Sequence, residues 1–174
     1  MTPELKKKLL ERMFSSEEYY QRMMDYYEKG VTGAKEGLEW FESHYTGGDK
    51  DVLHSAHGWR VRVIPNMEGY LSSRDEDIES YRQGDTGPME GTAFNIMSLQ
   101  RNISQHMSEE WWDYVPEELQ NKYFENIYKA RKMASNIAWT LGEAWNDDEI
   151  LRERITGPID EQELLKYLKP GERP

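Results

Sequence analysis

Asp51, His54 and His57 recur at intervals of three in DVLHSAHGW, a spacing that on a helix leaves both imidazoles near one face. Two imidazoles and a carboxylate suit zinc or iron(II), with His44 or His106 able to complete the set from another helix. The pattern falls short of a metal motif: helical-bundle carboxylate sites draw a Glu-x-x-His pair from each of two helices, and no such tetrad occurs. Gly58 also follows directly, so the sequence predicts that this helix ends there and that the histidines sit in a loop.

Other chemistries find less support. No G-x-S-x-G elbow is present, and the glycines of KGVTGAKEG neither match a phosphate-binding loop nor follow a strand. With no cysteine, thiol nucleophiles, disulfides and cysteine-ligated metals are excluded, and a reducing, cytoplasmic setting fits. No acid–base pair stands out, so the sequence assigns no catalytic residue and no cofactor. An enzyme is the less favoured class.

SEEWWDYVPEEL is the segment with the strongest claim to a binding surface. Adjacent Trp111 and Trp112 point in different directions on any regular backbone, so both are core only if a second layer covers one of them. Tryptophan and tyrosine dominate interface hot spots; with Tyr114 beside the tryptophans, Glu109, Glu110, Asp113, Glu117 and Glu118 supply a polar rim suited to a basic protein partner. The competing assignment is structural: one Trp staples the start of the following helix and caps the bundle end. A further surface reading concerns Asp75, Glu76 and Asp77. On a rigid helical protein, ordered carboxylates can imitate phosphate spacing and occupy the groove of a nucleic-acid enzyme.

The charge balance narrows the partners. The chain of 174 residues carries a formal net charge of −11, which disfavours direct binding to nucleic acid or to an anionic membrane surface. No long uninterrupted apolar run is present, and the basic N-terminal stretch MTPELKKKLLERMF lacks the apolar segment of a secretory leader.

The elements that must position these residues are helical. Tyr20, Met24, Tyr27, Val31, Ala34, Leu38, Phe41 and Tyr45 alternate by four and three, a heptad seam predicting one helix from about Ser16 to Tyr45. Gly30, Gly33 and Gly37 each precede a seam residue and form a stripe beside it, which predicts close approach of a neighbouring backbone; the alternative is a hinge near Gly30. Leu119, Tyr123, Ile127, Ala130, Ala134, Ile137, Leu141 and Ala144 give a second seam over about 116 to 146. Phe124, Tyr128, Met133, Trp139 and Trp145 widen it.

Shorter helices are expected in PELKKKLLERMF, GTAFNIMSLQRNISQHM and DEQELLKYLK. Residues 46–90 read as a long irregular insertion, with GWRVRVIP alternating like one short strand or half of a hairpin. The predicted fold is a single all-α domain over 1–174, a helical bundle with two long antiparallel helices, three shorter ones and that insertion. Two long seams exceed what short helices readily cover, so self-association into a homo-oligomer is also expected. The leading expectation is a non-enzymatic interaction protein, an assembly subunit or an inhibitor of a larger machine. A nucleic-acid mimic and a histidine-ligated metalloenzyme are its rivals.

Overall fold

The computed structural model describes residues 1–99, 109–142 and 159–174. Its centre is a pair of long antiparallel helices, α2 (Glu17–His44) and α7 (Glu117–Leu141). Every seam residue of α2 from Tyr20 to Phe41 is buried, and Tyr45 just beyond is half-buried. Ser16 starts the helix: its hydroxyl accepts from the Tyr19 amide, and Glu17 and Glu18 lie at the positive end of the helix dipole.

The glycines of α2 answer to α7. A Cβ on Gly33 would stand 2.8 Å from the backbone nitrogen of Tyr123, one on Gly30 would meet the Ile127 side chain, and one on Gly37 would enter the Trp112 ring. The helix therefore runs unbroken through all three, and the hinge is not formed. Each mid-helix glycine costs roughly 1 kcal/mol of propensity relative to alanine. The packing gained across the seam offsets it.

Around this pair, α1 (Pro3–Phe14) contacts α7 and the short C-terminal α8 (Glu161–Leu165). Arg12 fixes that corner with a two-pronged pair to Glu172 at 2.6 and 2.8 Å, which holds the Glu172 carboxyl down at about 2. The second long helix ends at Leu141 rather than near 146; Ala144 and Trp145 lie outside the described residues. The helix predicted over GTAFNIMSLQRNISQHM appears as α6 (Gly87–Met97), beginning earlier and ending at Met97; Ile103, His106 and Met107 lie outside the described residues.

Residues 46–90 correct the sequence reading. They form α3 (Lys50–Gly58), a π-helical turn over Trp59–Val63, α4 (Ile64–Ser72), α5 (Arg74–Arg82) and the start of α6. The apparent strand GWRVRVIP is this π turn running into α4, and no strand occurs among the described residues. Val52, Ala56, Trp59, Val63 and Met67 are buried at steps of four, three, four and four, the helical signal within the segment, while Val61 is half exposed. Pro65 accounts for the wide turn: in a regular helix its ring would clash with the Val61 carbonyl, and a π turn opens that spacing.

This helical layer covers the central pair. Tyr27 on α2 donates to the Met67 carbonyl on α4 at 3.0 Å, and Asp77 on α5 joins α2 to α6 through hydrogen bonds. The α2 seam from Tyr20 to Phe41 and the α7 seam from Tyr123 to Ile137 are therefore covered within one chain, while Leu119 and Leu141 at the ends of α7 are half-buried.

Candidate functional site

The turn Glu110–Tyr114 is a short 3₁₀ segment, and its geometry decides the fate of the tryptophans. Trp111 and Trp112 are not the centre of a binding surface: they are 0% and 2% exposed. On this tight turn their rings stack on each other, with centroids 4.2 Å apart. Trp59 from the π turn meets both edge-on, at 5.4 and 5.7 Å, and so provides the second layer. Gln120 secures the turn to α7 by donating to the carbonyls of Trp112 and Val115.

The stack continues outward. Trp112 lies face to face with Tyr123 at 4.9 Å, Tyr123 meets Phe124 edge-on at 4.8 Å, and Phe124 is exposed. Phe124 and Tyr128 thus do not widen the buried stripe. They stand one residue beyond Tyr123 and Ile127, on the flank of α7, and Tyr128 is 65% exposed. The remaining rim residues Glu110, Asp113 and Tyr114 are exposed, with Tyr114 set edge-on against Tyr45 at 4.8 Å.

Beneath these rings lies a pocket of about 230 Å³ lined by Leu99, Glu109, Tyr123, Phe124, Ile127, Tyr128 and Arg131. Glu109 is half-buried there, without an ion pair or a side-chain hydrogen bond among the described residues, and burial raises its pKa above the ordinary carboxylate value. Burial also pushes the Tyr123 phenol up, with the Glu109 charge adding to the shift and Arg131 opposing it. The Arg131 guanidinium is lowered by burial, and its Nε donates to the Met97 carbonyl at the end of α6. The carboxylate is thus only partly solvated and is not answered by a charged neighbour among the described residues.

Glu109 was within reach of the sequence because it borders the paired tryptophans. Arg131, Phe124 and Tyr128 as pocket walls were not. Their spacing of four and three runs parallel to the seam, and such a pattern does not distinguish a covered flank from an open one.

The other predicted residues are placed differently. Asp51, His54 and His57 are all exposed on α3, and no group of three metal-ligating side chains occurs among the described residues. Gly58 is buried and the helical path continues through it, so it does not terminate the segment. His44 stacks on Trp40 at 4.3 Å and bonds its carbonyl through Nδ1. His106 lies outside the described residues.

Asp75 and Glu76 are exposed on α5, but Asp77 is no part of a surface mimic. It is 4% exposed, and its Oδ2 accepts from Tyr20 at 2.5 Å, Thr92 at 2.6 Å and Ser73 at 3.1 Å. Placed at the start of α5, it ties three helices together as a structural carboxylate. The nearby acids are largely answered by arginine: Arg74 reaches Asp25 and Glu28, and Arg82 pairs with Glu17.

No protein family, curated protein or solved structure matches this chain. No helix among the described residues is long and apolar enough to cross a membrane.

Proposed function

We propose that this chain is a non-enzymatic protein–protein interaction protein, an assembly subunit or an inhibitor of a larger machine, that engages a basic surface of its partner. The observation that carries the reading is the exposure of Phe124 and Tyr128 around the unpaired Glu109 carboxylate. Large rings held in place by a buried stack bind at low entropic cost, because their scaffold is already ordered. Glu110 and Asp113 extend the same acidic rim. In this reading α7 supplies the aromatic residues in place of the buried Trp111 and Trp112, and residues 109–113 supply the acidic ones.

The test is capture from native-host lysate with the wild-type chain and with a Phe124→Ser, Tyr128→Ala double variant. A stoichiometric partner held by the first and lost by the second, with the variant still unfolding cooperatively above the assay temperature, supports the proposal. A partner retained by the folded variant moves the interface elsewhere, and the absence of any partner argues against the interaction class.

A further inference from the structure

The Glu109 pocket has one chemical demand that the described residues leave unanswered. Among the described residues Glu109 makes no ion pair, and burial raises its pKa. A half-buried carboxylate without a counter-charge costs free energy whenever it is ionised. That cost is relieved by a cation brought from outside.

The walls specify which kind. Leu99 and Ile127 offer apolar surface for an alkyl stem, and the rings of Phe124 and Tyr128 flank the opening and attract a cation on their faces. A bare metal ion finds too few ligands here, as no cluster of three metal-ligating groups is present among the described residues. An anion meets Glu109 and a chain of net charge −11. An apolar anchor would fill the volume and leave the carboxylate more deeply desolvated than before.

We infer that this pocket receives a lysine or arginine side chain of the partner protein, its stem on Leu99 and Ile127 and its charge on Glu109 between Phe124 and Tyr128. The inference rests on the interaction reading above and names the anchor that the reading leaves open. Arg131, which lines the same recess, is tied to the end of α6 by its Nε, which donates to the Met97 carbonyl.

The test uses small probes, so that it does not depend on knowing the partner. N-acetyl-lysine methylamide and N-acetyl-arginine methylamide are titrated into the full chain at neutral pH and followed by side-chain NMR of Ile127 and Tyr128. The norleucine and citrulline counterparts, of similar shape but without the charge, serve as controls. The expected result is saturable shifts with the two cationic probes alone, weakened roughly tenfold in Glu109→Gln. A chain carrying Glu109→Asp, which keeps the charge, should retain part of the response.

Equal binding of norleucine and lysine probes overturns the inference, as does a Glu109→Gln variant that binds lysine unchanged, or the absence of saturable shifts. Loss of partner capture in the Phe124→Ser, Tyr128→Ala variant together with full capture by Glu109→Gln would sink the cationic anchor while leaving the interaction reading intact.

Discussion

The two flanks of α7 treat space in opposite ways. Toward α2 the helix meets glycines, and at Gly33 two backbones come so close that a single methyl group has no room. On the flank of Phe124, Tyr128 and Arg131 the same helix borders a recess of about 230 Å³ and leaves large rings in solvent. Tyr123 belongs to both, since its backbone abuts Gly33 and its ring stacks on Trp112 and lines the pocket. The difference teaches where this protein has used its residues for stability and where it has not. Small residues close one side, and on the other a desolvated carboxylate is tolerated at a cost.

Breaking the closed flank should have the largest effects. Trp112→Ala removes a ring that touches Trp111, Trp59, Tyr123 and Phe124, and should cost about 3–5 kcal/mol in urea unfolding. Gly33→Val adds atoms against the α7 backbone, where no flexible side chain can yield. A loss of about 3 kcal/mol is expected, larger than for Gly30→Ala, whose nearest obstacle is the Ile127 side chain, with the Ile127 backbone nitrogen farther off at 3.3 Å. Similar melting temperatures for these two variants would show that the helices separate easily, and the contrast between flanks would weaken.

Asp77→Ala sits between the extremes. It strands the hydroxyls of Tyr20 and Thr92, and a loss of about 2–3 kcal/mol is expected with no change in partner binding.

The open flank should respond in binding more than in stability. Tyr128→Ala should cost no more than about 0.5 kcal/mol, and Phe124→Ser, which gives up ring contacts with Trp112 and Tyr123, about 1–2 kcal/mol, still below Trp112→Ala. Glu109 gives the sharpest sign. Its folded pKa is raised, so its contribution to stability is complete below the ordinary carboxylate range and is lost as pH rises through the folded value. Glu109→Gln should therefore melt slightly higher than wild type at about pH 7 and at the same temperature at about pH 3. A variant less stable at neutral pH would mean that Glu109 has a counter-charge, and the comparison of flanks would need redrawing.

How much of this was legible in the residues varies with the signal. The seam of α2 could be read because burial there follows one uninterrupted period, and the glycine stripe announced a close neighbour without naming it. Residues 59–63 misled because Trp59, Val61 and Val63 alternate like a strand, whereas the burial that matters spans Val52 to Met67 and passes through a π turn. Asp77 looked like its exposed neighbours Asp75 and Glu76, since nothing local marks which carboxylate will face Tyr20, 57 positions earlier in the chain.

The sequence by itself determined the helical class, the two long seams, their approximate ends and the need for a close approach at Gly30, Gly33 and Gly37, because each depends on periodicity within a single element. Only the tertiary structure decided that Trp111 and Trp112 go inside, that Asp77 is structural, and that Glu109 faces a recess walled by Phe124 and Tyr128. Those outcomes turn on which side of an amphipathic helix a distant segment happens to cover. Such coverage is a property of the folded chain, and no local spacing encodes it.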